Sequence, residues 1–291
     1  MAIELAAGPV SWGVDFAADP GNPPWPDVLD GIRAAGLRVI ELGPHGYLPS
    51  DGDALRGELE TRELRVAGSF VFDDLHAAER RDAVLSHAER VCRWVARAGG
   101  ELLVVIDRPS AERAATAGRS GAARRLSPAR WAVLAGTIER IAAIARRHGL
   151  RPVLHHHAGS CIEFEDELEA ALDATDLELC LDTGHALYAG MDPVAVVERH
   201  GARIGHLHLK DVDGSVLAAP ARGYWDSVAR GVFCPVGDGL LDVPRLAAAL
   251  RALGYDGAAT IEQDRRASTA GSPVEDLRTS IARLTAAGIA Q

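Results

Sequence analysis

The chain has 291 residues, of which 47% are hydrophobic and 25% are charged, a composition typical of a soluble globular protein with a full core. Its formal net charge of -10 argues against nucleic acid and anionic membranes as partners. The four cysteines show no Cys-x-x-Cys spacing, and no apolar stretch is long enough to span a bilayer. We therefore expect a cytoplasmic protein with reduced thiols.

Short runs rich in valine, isoleucine and leucine alternate with longer amphipathic segments along the whole chain. The runs predict eight strands, at 3–10, 39–42, 65–72, 102–107, 152–157, 177–182, 204–210 and 258–262. The longer segments predict eight helices, at 26–35, 51–63, 76–98, 128–148, 163–174, 193–200, 243–253 and 274–287. Eight strands that are each followed by a helix predict an α/β fold, a (β/α)8 TIM barrel, as a single domain over residues 1–291. A doubly wound sheet usually has fewer strands and a glycine-rich turn after the first strand, which this chain lacks.

Ionisable side chains stand at or near the carboxyl ends of seven of the eight predicted strands. They are Glu41, Asp73, Asp107, His155, Asp182, Lys210 and Glu262. In barrels of this type the active site lies at that end and draws on several strands, so these positions predict the site. The long segment 212–242 after the seventh strand is expected to form a lid or a wall of the substrate site.

The seventh strand contains the most informative motif, which reads Gly-His-Leu-His-Leu-Lys-Asp over residues 205–211. Successive side chains of a strand point to opposite faces, so His206, His208 and Lys210 share one face and the two leucines share the other. Two imidazoles and an amine on one face indicate a metal or oxyanion site. Lys210 is the only lysine of the chain, which suggests a position that needs a compact, deprotonatable amine. An edge strand whose polar residues face water is the alternative.

Strands five to eight offer a candidate metal site if their polar faces point inward. Histidine and carboxylate ligands would then converge from His155, Asp182, His208 and Glu262. Mixed imidazole and carboxylate ligation suits Mn²⁺, Co²⁺, Fe²⁺ or Zn²⁺ better than Ca²⁺. Mn²⁺ or Co²⁺ is the preferred prediction, with Zn²⁺, Fe²⁺ or Mg²⁺ as alternatives. Taken alone, Asp182 could instead cap a helix, and Glu262 could pair with Arg265.

Several motifs resemble the xylose isomerase-like barrel superfamily of sugar isomerases, epimerases and related lyases, most closely its inosose dehydratase branch. They are the segments 9–12 (PVSW), 41–43 (ELG), 155–159 (HHHAG), 182–186 (DTGHA), 206–211 (HLHLKD), 230–233 (RGVF), 237–239 (GDG) and 262–264 (EQD). The resemblance implies metal ligands at Asp182, His208 and Glu262, and contact of His185 with metal or substrate. Sugar epimerases of this superfamily usually have a glutamate where this chain has His155.

The resemblance implies a metal-dependent dehydratase of a polyhydroxylated cyclic ketone such as scyllo-inosose (2-keto-myo-inositol), acting through an enediolate. The catalytic candidates are His155, His185, Lys210 and Glu262. The expected substrate contacts are Trp12, Glu41, His157, His206 and Asp211. The alternative is a metal-dependent keto-sugar isomerase or epimerase that uses the same enediolate. Less favoured are a 3-dehydroshikimate dehydratase and a non-catalytic sugar-binding barrel, and the chain could form a homo-oligomer.

Overall fold

The computed structural model describes residues 3–220, 223–266, 269 and 271–290. The first seven strands are β1 (Glu4–Ala7), β2 (Val39–Glu41), β3 (Arg65–Asp73), β4 (Leu102–Asp107), β5 (Arg151–His155), β6 (Glu178–Asp182) and β7 (Ile204–Leu209). The remaining three are β8 (Asp211–Val212), β9 (Phe233–Cys234) and β10 (Ala258–Ile261). Strands β1 to β7 and β10 pair in parallel and close into a barrel, which confirms the predicted (β/α)8 fold. Strands β8 and β9 form a separate antiparallel pair.

The described residues contain twelve α-helices. The first six are α1 (Trp25–Ala34), α2 (Gly52–Thr61), α3 (Arg81–Arg97), α4 (Ala111–Thr116), α5 (Pro128–Arg147) and α6 (Glu165–Ala174). The others are α7 (Thr183–Tyr188), α8 (Pro193–His200), α9 (Gly214–Ala218), α10 (Tyr224–Ala229), α11 (Val243–Leu253) and α12 (Pro273–Ala286). Helices α4, α7, α9 and α10 were not predicted, because five or six residues are too few to show a helical period. None of the helices in these ranges combines the length and the apolar character needed to cross a membrane.

Two predicted strands end two or three residues before their predicted carboxyl ends. The first ends at Ala7, because Pro9 opens a 3-10 turn over Pro9–Trp12 and proline has no N–H to donate to a strand ladder. Strand β5 ends at His155, so the next two histidines belong to the loop that follows it. Both changes lie at the carboxyl end of the barrel and therefore alter which side chains reach the site.

Alternation along the strands divides the core into an outer layer and the barrel interior. On β4, Leu103 and Val105 pack outward into the layer between barrel and helices, whereas Val104 and Ile106 belong to an interior cluster with Phe70 of β3. On β7, both leucines of the motif lie in the outer layer. The polar residues of β7 therefore point into the barrel, as the alternation predicts.

Candidate active site

The polar side chains of β7 are fully enclosed. His206, His208 and Lys210 are each only 1% exposed. The aliphatic stem of Lys210 passes directly over Gly184, where an added Cβ atom would lie 2.5 Å from the Lys210 Cγ. Glycine at this position therefore lets the lysine reach the barrel centre from the end of its strand.

A cavity of about 450 Å³, including its open mouth, lies at the carboxyl end of the barrel. Its polar lining consists of Asp15, His155, His157, His185, His208, Lys210, Glu262 and Asp264. Its apolar and aromatic lining consists of Val10, Phe70, Phe72, Ile106, Tyr224 and Trp225. The cavity thus has one wall of ionisable groups and one wall suited to carbon surfaces.

The four residues predicted to bind a metal lie together at the carboxyl end of the barrel, and three of them, His155, His208 and Glu262, line the cavity. The Oδ2 atom of Asp182 is 3.5 Å from His155 Nε2 and 3.8 Å from His208 Nδ1. The same His208 Nδ1 lies 3.2 Å from Oε2 of Glu262. Donor atoms around one small ion are about 3 to 3.5 Å apart when each metal–ligand bond is about 2.1 Å long. The Asp182–His155 and His208–Glu262 separations fall within this range, and the Asp182–His208 separation of 3.8 Å is slightly longer.

Asp182 has two roles in one side chain. Its Oδ1 accepts a 2.8 Å hydrogen bond from the backbone N–H of His185 and thereby caps α7, which was the alternative explanation for this residue. Its Oδ2 is buried without a hydrogen-bond partner among the described residues. Burial opposes the charge, but the nearby Lys210 holds the pKa of Asp182 well below its ordinary value.

Lys210 lies among three carboxylates. Its Nζ is 2.7 Å from Asp264 Oδ1, 3.2 Å from Asp182 Oδ2 and 3.3 Å from Glu262 Oε2. Burial favours the neutral amine, yet these carboxylates raise the pKa of Lys210 well above its ordinary value. The expected deprotonatable amine is therefore a fixed ammonium, suited to stabilising negative charge and unsuited to acting as a base.

Glu41 lies one layer deeper and orients the histidines of β7. Its Oε2 is 3.0 Å from His208 Nε2, 3.3 Å from His206 Nε2 and 2.9 Å from Thr260 Oγ1. When His208 Nε2 donates a proton to this carboxylate, Nδ1 is free to present a lone pair toward Asp182 and Glu262. This arrangement is the carboxylate–histidine pair that commonly supports a metal ligand.

The charge of the cluster also fits a cation. Three carboxylates, those of Asp182, Glu262 and Asp264, surround the single ammonium of Lys210. Burial opposes a charged imidazole at His208, but the neighbouring acidic groups raise its pKa well above its ordinary value. Buried excess negative charge is costly unless it is neutralised. Since protons and metal ions compete for the same donors, a buried site with excess negative charge also suits a divalent ion.

Two further histidines, His157 and His185, face the cavity beside the metal donors. The rings of His157 and His185 lie 3.9 Å apart between centroids, and burial lowers the pKa of each well below its ordinary value. The Nδ1 of His157 lies 2.8 Å from the Ala158 carbonyl, which can only accept, so Nδ1 carries the proton and Nε2 has a free lone pair. Tyr224 donates a 2.5 Å hydrogen bond to Asp264.

Four residues expected to contact the substrate lie outside the lining of the cavity, namely Trp12, Glu41, His206 and Asp211. The 3-10 turn directs Trp12 onto α1, where its indole packs against Gly31. Glu41 and His206 form the deeper layer described above. Asp211 accepts backbone hydrogen bonds from the segment 237–241 and so anchors the return of the long excursion.

Sequence reasoning missed eight cavity residues, among them Asp15, Tyr224, Trp225 and Asp264. Two had a usable signal, because the excursion 212–242 was expected to supply a site wall and it carries Tyr224 and Trp225. Asp264 belonged to a motif of the resemblance, two residues after Glu262. Asp15 gave no periodic signal, because it follows an irregular turn.

Comparison with known proteins shows the family to which the chain belongs. The model of a family described as xylose isomerase-like TIM barrel matches residues 29–287. The inosose dehydratase of Geobacillus kaustophilus is 30% identical over 280 residues, which cover 90% of this chain and 88% of that enzyme. The rhizopine catabolism protein MocC of Rhizobium meliloti is 28% identical over 274 residues, covering 91% of this chain and 82% of that protein.

Solved structures show the same fold at lower identity. An L-ribulose 3-epimerase superposes with a TM-score of 0.72 at 16% identity, covering 99% of this chain and 96% of that one. The probable 3-DHS dehydratase AsbF from Bacillus anthracis superposes with a TM-score of 0.71 at 14% identity, covering 97% and 99%. At such identities these likenesses concern the fold and leave the chemistry to be argued from the site.

Proposed function

The chain belongs to the xylose isomerase-like TIM barrel family, and from that premise we propose that it is a metal-dependent dehydratase of a polyhydroxylated cyclic ketone such as scyllo-inosose. The observation that carries the proposal is the cluster of Asp182 with His155, His208 and Glu262, of which the last three line the open cavity. The similarity to enzymes named inosose dehydratase supports the choice of substrate.

The metal would be held by His155, Asp182, His208 and Glu262. When bound, a divalent ion would polarise the ketone and stabilise the charge that develops on its oxygen. Mn²⁺ or Co²⁺ is the preferred ion, because two imidazoles and two carboxylates form a mixed donor set.

His157 is the base that we favour for removing the proton next to the ketone. Its imidazole is neutral because burial lowers its pKa, and its protonated Nδ1 is fixed on the Ala158 carbonyl. The remaining lone pair on Nε2 belongs to a residue that lines the cavity. A neutral histidine with a fixed tautomer presents the lone pair that proton abstraction requires.

Lys210 would stabilise the enediolate that forms when the proton leaves. Its ammonium is held at the cavity by Asp264 and is buried, so it is preorganised for a developing negative charge. The enediolate then collapses, the bond to the β-hydroxyl breaks, and water is released. The aromatic wall, with Phe72 and Trp225, provides the apolar surface that the carbon face of a ring would cover.

A keto-sugar isomerase or epimerase is the second candidate. The specific observation in its favour is the pair of neutral histidines, His157 and His185, which could return a proton to carbon instead of releasing water. Both reactions need the same metal donors and the same enediolate, so the fate of the hydroxyl group separates them.

The decisive experiment is mass-resolved turnover of a small panel of ketones. The purified chain is loaded with Mn²⁺ or Co²⁺ and incubated with scyllo-inosose, a keto-pentose and 3-dehydroshikimate, and each product is weighed. Loss of one water from scyllo-inosose is the expected result, and it should disappear after chelation and return when the metal is restored. An unchanged product mass with altered chromatographic mobility would favour the epimerase, and activity that survives complete chelation would overturn the metal mechanism.

A further inference from the structure

Asp15 is a cavity carboxyl group outside the metal cluster. It follows the 3-10 turn Pro9–Trp12 at the end of β1, and its neighbour Val14 is fully buried in the core. Its side chain is 13% exposed and lines the cavity together with Lys210 and Asp264. The turn and the buried valine therefore hold Asp15 at the cavity mouth.

The two carboxyl groups on this side of the cavity, Asp15 and Asp264, have opposite surroundings. Asp264 accepts hydrogen bonds from Lys210 Nζ at 2.7 Å and from the Tyr224 hydroxyl at 2.5 Å, which hold it as an acceptor. No hydrogen-bond donor from the part of the chain that the structure describes reaches the Asp15 carboxyl, and its cationic neighbour Arg266 is 3.9 Å away. The Arg266 guanidinium is in turn stacked over the ring of Trp225. A proton on Asp15 can therefore point toward a group in the cavity, whereas both oxygens of Asp264 are held by donors.

We propose that Asp15 is the general acid that protonates the departing hydroxyl group of the substrate. This inference rests on the proposed dehydratase function. In the step, the electron pair of the enediolate forms the new carbon–carbon double bond and restores the carbonyl, while the β-carbon–oxygen bond breaks. The Asp15 proton joins the leaving oxygen, water is released, and the resulting carboxylate takes a proton from solvent.

The electrostatic surroundings of Asp15 support this role. Burial, with help from the charges of Asp264 and Glu262, raises the pKa of Asp15 to about 7, against the opposing charges of Arg266 and Lys210. A general acid is most effective when its pKa lies near the working pH. Other groups that carry a proton are poorer donors, since Lys210 is held by three carboxylates and the Tyr224 proton is shared with Asp264.

The test separates removal of the carbon-bound proton from loss of water. Asp15→Asn keeps the shape of the side chain and removes its acidic proton. With metal-loaded enzyme and scyllo-inosose in deuterated water, we expect water loss to fall about 10²- to 10⁴-fold. Deuterium should meanwhile enter the recovered substrate at a rate close to wild-type turnover, because His157 and the metal donors are untouched. Asp15→Glu should recover part of the elimination, and Asp19→Asn, the same change on an exposed residue of the same loop, should match the wild type.

The pH profile provides a second readout. Because the acid must be protonated, wild-type kcat/KM for elimination should fall as the pH rises through about 7, and that limb should be missing in Asp15→Asn. Two results would overturn the role of Asp15 and leave the dehydratase proposal standing. One is elimination at the wild-type rate in Asp15→Asn, and the other is an equal loss of deuterium exchange and elimination. A wild-type chain that exchanges the proton of scyllo-inosose but never releases water would overturn the dehydratase, and Asp15 as its acid with it.

Discussion

The carboxylates at the strand ends have different partners in the two halves of the barrel. At the ends of β3 and β4 the carboxylates hold the loops in place by hydrogen bonding. Asp107, for example, accepts hydrogen bonds from the backbone N–H and the ring Nδ1 of His76 and from the backbone N–H of Cys161. On β6, and just beyond β10, Asp182 and Glu262 direct an oxygen toward His208 and Lys210.

The interior of the barrel follows the same division. The half formed by β3 and β4 is filled by residues such as Phe70, Val104 and Ile106, whereas the half around β7 contains imidazoles and an ammonium. A position at the end of a strand therefore brings a carboxylate to the mouth of the barrel. Whether that carboxylate can bind a metal depends on whether nearby backbone N–H groups already occupy its oxygens. An aspartate whose oxygens are both bonded to loop N–H groups is structural, and one with a buried oxygen that no backbone N–H holds is a ligand candidate.

The largest expected effect distinguishes the two kinds of aspartate. Asp182→Asn keeps the cap on α7, because asparagine is also a good N-cap, but it removes the charge from the free oxygen. We expect loss of bound Mn²⁺ or Co²⁺ and a fall in turnover of at least about a thousandfold. Metal content after gel filtration and mass-resolved turnover measure both.

Asp107→Asn is the matched control in the other half of the barrel. It should retain the metal but lower the free energy of unfolding by about 1 to 3 kcal/mol, since buried donors lose a charged acceptor. Metal binding by Asp182→Asn at the wild-type level, or metal loss from Asp107→Asn, would contradict the division between the halves.

Glu41 extends the polar half one layer below the ligands. Glu41→Gln should weaken Mn²⁺ or Co²⁺ binding about 10- to 100-fold, because the amide stabilises the donor form of His208 less well than a carboxylate. Calorimetric titration of the metal into apoprotein gives the affinity without any substrate. The exposed Asp173→Asn on α6 should bind as the wild type does, and an unchanged affinity in Glu41→Gln would leave Glu41 without a positioning role.

Much of the barrel was predictable because its strands and helices repeat a simple period. The alternation of β7 correctly predicts that Leu207 and Leu209 face outward and His208 faces inward. The same logic failed at Trp12, because a proline-initiated turn replaced the end of a strand and redirected the indole. Periodicity specifies a side chain's direction only while the backbone remains regular.

The candidate site was predictable only where regular elements supply it. Strand ends gave His155, Asp182, His208 and Glu262, because parallel strands bring their carboxyl ends to one mouth. Asp15, Tyr224 and Trp225 reach the cavity from a turn and a short helix in long loops. The path of such loops depends on tertiary contacts, which sequence spacing does not encode.

The apolar wall should affect substrate binding more than chemistry. Phe72 lines the cavity and packs 5.4 Å from the ring of His157. Phe72→Leu removes part of the surface that the substrate covers, so we expect KM to rise about 3- to 10-fold while kcat changes little. Steady-state kinetics with scyllo-inosose measure the split, and Leu253→Ala on α11 is the exposed control. A kcat that falls more than KM rises would mean that Phe72 positions His157 instead.

The smallest expected effect concerns stability and its dependence on pH. The hydrogen bond to Asp107 is the main cause that raises the pKa of His76 above its ordinary value of 6.5. A raised pKa in the folded state means that protonated His76 adds stability that is fully present below about pH 6.5 and is lost as the pH rises through the raised value. His76→Asn should therefore destabilise the protein by about 1 kcal/mol in the acidic range and by less at alkaline pH. Urea unfolding of both proteins across this range measures the difference. A gap that widens with rising pH would mean that neutral His76 is the stabilising form and that the loops of β3 and β4 are not held by an ion pair.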